Sequence, residues 1–109
     1  PGQTAIAGFS GGLIAASKVL SKDLARERIR VNCVCVTVVR DTPSWTAVFG
    51  EGSTVSDMHR KQYEKIVARC PLGVASPADI GRVVAFLASD DAAYLTGAAL
   101  SPTGGLTIH

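Results

Sequence analysis

The sequence predicts an α/β fold built on parallel strands, in the order helix–strand–helix–helix–strand. Three observations predict it. Apolar residues recur at helical spacing over 4–27, and an almost unbroken β-branched run follows at 29–36. Ser76-Pro77-Ala78-Asp79 then opens a further periodic helix that runs into a short strand at 98–101. Strands separated by helical crossovers pair in parallel, since an antiparallel pair needs only a tight turn.

In the first helix, Ile6, Phe9, Leu13, Ala16, Leu20 and Leu24 mark one face, and Thr4 is the expected N-cap. Gly8, Gly11 and Gly12 each cost roughly 1 kcal/mol relative to alanine. Their presence predicts close approach of another backbone and a helix packed on more than one side. The run IRVNCVCV suits a strand buried on both faces. Residues 37–53 read as a loop, with Asp41, Pro43, Gly50 and Gly52 as breakers. Residues 54–69 read as an amphipathic helix carrying Met58, Tyr63, Ile66 and Val67.

Ser76 as N-cap, Pro77 at the first helical position and Asp79 at the third form a capping-box variant. Ile80, Val83, Val84 and Leu87 follow at helical spacing, with Phe86 beside the stripe, and the helix should stop near Ser89-Asp90. Thr96-Gly97 turns the chain into the last strand, and Pro102 marks its end or a sheet edge. Two strands cannot cover three amphipathic helices. The edge beside 29–36 would be apolar and unpaired, so further strands are expected from upstream residues or from another chain.

With 109 residues the chain has room for one small domain. Hydrophobic residues at 47% and charged residues at 18% argue for a globular chain over a disordered one. A net charge of +2, with its basic residues dispersed, gives no nucleic-acid footprint, and Arg26-Glu27-Arg28 reads as a solvated helix end. No apolar run reaches bilayer length and no secretory signal is visible, so no membrane association and a cytoplasmic location are expected. A start at Pro1 suggests a processed product, a fragment or an offset numbering.

Cys33 and Cys35 share one face of a strand, where a disulfide is geometrically poor. Cys70 stands alone before Pro71. With no C-x-x-C and no suitably spaced His, these read as reduced structural thiols and no metal site is expected. His59 and His109 read as surface residues, and Asp90-Asp91 as solvated carboxylates.

Three blocks resemble the C-terminal half of the short-chain dehydrogenase/reductase superfamily. They are KVLSKDLARERIRVNCV, RCPLGVASPADIGRVVAFLASDDAAYLTG and the closing Gly104-Gly105. The family writes them TKSLAKELAPxxIRVNxV, xxPLGRxxxPxDIAxxVxFLASDxAxYxTG and DGG. The resemblance covers nearly all of the chain except 41–68. It implies the C-terminal portion of a Rossmann-like, doubly wound sheet over 1–109, with a substrate-loop-like segment at 37–69. Such enzymes use NAD or NADP. A tyrosine moves the substrate hydroxyl proton, and a lysine four residues later lowers that tyrosine's pKa and holds the ribose.

Counting back from Arg30-Val31-Asn32 at family spacing places the tyrosine position on Ile6 and the lysine position on Ser10. PGQTA precedes Ile6 as the family has it. Neither residue can carry the chemistry, so no catalytic residue is assigned. Ile14-Ala15-Ala16-Ser17-Lys18 superficially resembles Y-x-A-S-K. That frame would delete eight residues before the strand, a rotation of roughly 80°, and it still lacks the tyrosine. Lys18 fits better as a solvent-facing lysine.

Other positions depart as well. Val36-Thr37 replaces the family's Pro-Gly, Asp41 stands where a nicotinamide-contacting threonine is usual with Thr42 one residue late, and Thr103 replaces the aspartate of DGG. Asn32 and Tyr94 match structural positions of the family. Tyr63 lies on the substrate-loop helix, away from the usual geometry. The glycine-rich dinucleotide fingerprint is not among these residues, and Gly11-Gly12 lie inside a helix. No cofactor-binding residue is therefore assigned, and no cofactor is expected to bind this chain alone.

The resemblance implies a degenerate subunit, or part of one, that stabilises an active family partner through helix 4–27 and the last strand. The alternative is a C-terminal piece of an NAD(P)-dependent oxidoreductase acting on a hydroxyl or carbonyl substrate. Residues 41–68 match no motif that names a substrate. Trp45, Phe49 and Met58 are expected to pin that loop, with an apolar pocket as the second reading.

Overall fold

The computed structural model describes residues 3–49 and 57–107, without the side chains of 57–59. Its elements are α1 (Thr4–Leu24), β1 (Cys33–Val34), α2 (Pro43–Phe49), α3 (Asp57–Ala68), α4 (Pro77–Ala88) and β2 (Ala99–Leu100). Short 3-10 turns follow α1 at Ala25–Glu27 and α4 at Asp90–Ala92. The strands pair in parallel, Cys33 opposite Ala99 and Val34 opposite Leu100, as the helical crossovers require. The chain forms two compact units, Pro1–Cys35 with Val84–Leu100, and Val36–Val83 with Ser101–His109.

In the first unit α1 packs on β1 through a face that shares only Leu24 with the marked stripe. Ser21 is buried, and Ile14, Ser17 and Leu24 are half-buried on the same side. The expected stripe is open instead: Ile6 is 66% exposed and Phe9 79%, with Leu13 and Leu20 also exposed. Small polar residues do the packing because the chain comes very close. A Cβ on Gly97, whose φ is +71°, would sit 2.7 Å from Ser21 Oγ. Gly8, Gly11 and Gly12 have nothing within 4 Å of their Cβ positions, contrary to the expectation of close approach. The N-cap is Gln3, not Thr4, and it makes no side-chain capping bond. The first turn closes from Ala7 N–H to Gln3 O at 2.8 Å.

The strands are shorter than the expected 29–36 and 98–101, although ladder hydrogen bonds extend beyond the paired residues. Gly97 N–H donates to Val31 O (2.7 Å), Cys33 N–H to Ala98 O (2.8 Å) and Cys35 N–H to Leu100 O (2.7 Å). Residues 31–35 are half-buried, not buried on both faces, and among the described residues β1 pairs only with β2. The helical stretch Thr4–Glu27 is long and apolar enough to cross a bilayer, with mean hydropathy 1.3 in its most apolar window. The sequence expectation counted unbroken apolar runs and missed this, since alanine raises the average across the serines and Lys18. Helices inside globular folds meet the same measure.

In the second unit α2 occupies a stretch expected to be loop. Pro43, read as a breaker, is the first helical residue. Thr42 caps it, its hydroxyl donating to Val39 O (2.9 Å) and accepting from Trp45 N–H (3.2 Å). The described helix α3 begins at Asp57, and the expected start at 54 lies outside the described residues. Gly104 and Gly105 have φ of +62° and +90°. A Cβ on Gly104 would meet Gly73 O at 3.0 Å, and Leu72 N–H donates to Gly104 O at 3.1 Å.

Helix α4 starts as predicted. Ser76 N–H and Oγ each donate to Asp79 Oδ2 at 2.8 Å, and Asp79 N–H donates to Ser76 Oγ at 3.3 Å. Ile80 and Val83 are half-buried and Leu87 is buried, whereas Val84 is exposed despite its place in the expected stripe. The Ser76 backbone N–H, then the Ser76 hydroxyl, hold the Asp79 carboxyl below its ordinary value of 3.8, and the Arg82 charge adds to this. A lowered folded pKa stabilises the protein above the ordinary carboxylate range, and that stabilisation disappears as pH falls through the folded value. Ser76→Ala, which removes the N-cap hydroxyl, should cost about 1 kcal/mol. The melting-temperature gap between wild type and Asp79→Asn should narrow on acidification; thermal melts of both across that range measure it.

Candidate functional site

Two places bear on function, one in each compact unit. On α1, Ile6 and Ser10 lie four residues apart, hence one above the other on the helix, and both are exposed. An isoleucine has no proton to give, and a serine hydroxyl carries no charge that could stabilise a phenolate. Lys18 is exposed farther along α1, as expected of a solvent-facing lysine.

In the second unit, α2 and the preceding chain enclose an apolar pocket of about 490 Å³, lined by Val36, Val39, Trp45, Val48, Phe49 and Ile66 among others. That volume suits a small molecule. Thr37, Thr42 and Ser44 supply its hydroxyls, and among the described residues no charged side chain lines it. Trp45 packs against Phe49 at 4.4 Å between ring centroids, and Tyr63 meets both edge-on at 5.5 and 6.0 Å. Trp45 and Phe49 thus pin α2 to α3 and line the pocket together; the two readings of these residues are not exclusive. The side chains of Met58 and His59, and all of His109, lie outside the described residues.

Asp41 is an exposed residue at φ +58°, ion-paired with Arg40. Thr103 is buried and closes its own turn, its hydroxyl donating to Thr107 O (3.1 Å) and accepting from Thr107 N–H (3.4 Å). Asp90 and Asp91 are exposed on a 3-10 turn, and Tyr94 is fully exposed. Asn32 clamps the strands, Nδ2 donating to Leu95 O (2.9 Å) and Oδ1 accepting from Ala98 N–H (3.1 Å). Burial raises the Cys33 thiol above its ordinary 9.0, and the hydrogen bond and charge of Cys35 add to this, against a smaller opposing bond from Ser17. All three cysteines are free.

Sequence reasoning missed two contributors. Arg30 donates to Leu95 O and Ser89 O, both at 3.3 Å; nothing local in the sequence marks a partner about sixty residues away. The cap at Thr42 was legible, since Thr42-Pro43 repeats the Ser76-Pro77 start signal.

The sequence model of the enoyl-(acyl carrier protein) reductase family matches residues 1–107. The chain belongs to the short-chain dehydrogenase/reductase superfamily. A 3-oxoacyl-[acyl-carrier-protein] reductase of Thermotoga maritima is 35% identical over 109 residues, which cover 99% of this chain and 40% of that protein. The 4-formylbenzenesulfonate dehydrogenase of Comamonas testosteroni is 36% identical over 99% of this chain and 41% of its own length. Among solved structures, YwfH, an NADPH-dependent reductase involved in bacilysin biosynthesis, superposes with a TM-score of 0.76 at 32% identity. That match covers 91% of this chain and 38% of YwfH. The chain therefore spans about two fifths of the length of the curated relatives it matches.

Its fold is accordingly part of a Rossmann-like α/β domain, and nicotinamide cofactors belong to its superfamily. Ser10 stands at the superfamily's lysine position and Asp41 at its nicotinamide-contacting threonine, with Thr42 one residue late. Ser10 offers no cation to a ribose, and the Thr42 hydroxyl is already committed to Val39 O and Trp45 N–H. No hydride-transfer step follows from these residues.

The aromatic cluster gives a direct check on the pocket. Phe49 is 5% exposed, and Phe49→Ala should cost about 3 kcal/mol in chemical denaturation. The emission of Trp45, the chain's single tryptophan, should move to longer wavelength as water reaches the ring.

Proposed function

We propose that this chain is a non-catalytic member, or part of a member, of the short-chain dehydrogenase/reductase superfamily, and that it stabilises an active NAD(P)-dependent partner subunit of the same family. One observation carries the reading. The helix that would hold the catalytic pair presents Ile6 and Ser10, and its outward apolar face is uncovered by the described residues of this chain. Ile6, Phe9 and Leu13 with the open backbone at Gly8, Gly11 and Gly12 suit a closely packed helical neighbour. In this reading 1–109 is a partial Rossmann-like domain, and 37–69 is its substrate-loop-like segment, shaping an apolar pocket. A cytoplasmic setting belongs to the same reading, supported by the three free thiols. No nucleic acid and no membrane enter it.

A second reading is favoured by the span of the matches. Relatives align with 99% of this chain over only 40% of their own length. The chain would then be the C-terminal piece of an oxidoreductase acting on a hydroxyl or carbonyl group, with the cofactor held by residues upstream. The loss of both the phenol and the cation favours the first reading.

Nicotinamide-cofactor titration of the purified native assembly, with the intact mass of this chain determined, separates the two. One cofactor per partner subunit and none per copy of this chain is the expected result. One equivalent per copy of this chain would reverse the preference. Ile6→Tyr with Ser10→Lys should raise turnover from background only if the cofactor also binds this chain.

A further inference from the structure

The arginines at the end of α1 form a second concave feature, unrelated to the superfamily's chemistry. Arg26, Arg28 and Arg30 line an open cleft of about 830 Å³ with Tyr94 and Thr96. All of these residues belong to the first compact unit. The volume lies within the roughly 300–1,000 Å³ of small-molecule sites. No carboxylate is among the lining residues, and among the described residues none of the three arginines is in an ion pair.

The three guanidinium groups are prepared in different ways. Arg30 is half-buried and fixed, since its two terminal nitrogens donate to Leu95 O and Ser89 O. A guanidinium has five N–H groups, so Arg30 keeps donors beyond those two bonds. Arg26 and Arg28 are exposed arms. Arg28 holds φ +57°, and its N–H closes the 3-10 turn onto Ala25 O. Glycine takes that conformation without the cost of about 1 kcal/mol that a side chain carries there. The arginine is thus an unfavourable choice for the turn, and its side chain lines the cleft. Thr96 Oγ1 accepts from Val31 N–H at 3.1 Å, which leaves its own hydrogen to donate. Tyr94 is fully exposed beside these cations, with a ring face free for stacking.

We infer that this cleft binds a small ligand bearing a polyphosphate group. Guanidinium forks match phosphate oxygens and retain their charge at all physiological pH. By itself Arg26-Glu27-Arg28 reads as a solvated helix end; the fold adds Arg30 and the 93–96 turn, which the sequence alone does not bring there. Whether the phosphates are bare or carried on a nucleoside depends on Tyr94.

Isothermal titration of the purified protein with inorganic tripolyphosphate and with ATP tests the inference. Saturable binding of one equivalent per chain is expected, weakening as salt rises. Arg28→Gly and Arg26→Gln should each weaken it about tenfold, while Arg69→Gln, outside the cleft, should leave it unchanged. Arg28→Gly should also raise the melting temperature, so lost binding there cannot be ascribed to unfolding. ATP binding more tightly than tripolyphosphate, with the difference removed by Tyr94→Ala, would support a nucleoside-borne phosphate. Equal binding would support the bare group. Absence of saturable binding, wild-type affinity in both cleft variants, or equal weakening by Arg69→Gln would overturn the inference.

Discussion

The first compact unit depends on one constraint, the close seating of the 95–98 turn against β1 and α1. Asn32 holds that turn from both sides, donating to Leu95 O and accepting from Ala98 N–H. Gly97 closes the gap to Ser21, where any Cβ would collide with the hydroxyl. The register of the parallel ladder follows, because Gly97 N–H on Val31 O sets the step repeated at Cys33 and Cys35. A side chain able to donate and accept at once is required at position 32, and asparagine has both groups on a short stem. Arg30 then ties the same turn to the end of α4 through Leu95 O and Ser89 O. Removing one member of such a network leaves backbone groups unpaired, which costs more than the bond alone contributed.

That constraint explains why α1 is turned as it is. Only serines and half-buried Ile14 and Leu24 can face strands that approach this closely. Ile6, Phe9, Leu13 and Leu20 consequently face away. An exposed stripe of this kind is unfavourable in water at roughly 25 cal/mol per Å² of apolar surface that could be covered. The same geometry places Ile6 and Ser10 on the open helix, where a proton-transfer pair would be accessible, and gives that position no ionisable group. Scaffold and chemistry are therefore separable in this chain: the hydrogen-bonded clamp needs Asn32, Gly97 and Arg30, and nothing in it needs a phenol or an ammonium.

Legibility from sequence divided along physical lines. Signals confined to a few neighbouring residues were readable. The Ser76–Asp79 cap formed with its reciprocal bonds, and the parallel order of the two strands followed from the crossovers. The α1 periodicity correctly gave a helix but the wrong inward face, because periodicity reports which side is apolar and not what is available to cover it. Strand ends were overextended at 29–36, since β-branched composition marks residues able to pair while pairing also requires a partner. Pro43 was taken for a breaker because a proline before a helix and one inside it look alike until the residue ahead, Thr42, is considered as a cap. Arg30 could not have been found, its carbonyl partners being set by the fold alone.

The apolar pocket beside α2 is held by contacts among its own side chains. Trp45, Phe49 and Tyr63 hold α2 against α3 through ring contacts that need no ligand. Thr42 spends its hydroxyl on the helix cap, so the residue nearest to a cofactor-contacting position serves the backbone instead. Trp45 and Phe49 also line the pocket, so the contact that joins the two helices forms part of its wall. Among the described residues its lining offers hydroxyls and apolar surface, and an ion is buried at low cost only where an opposite charge meets it.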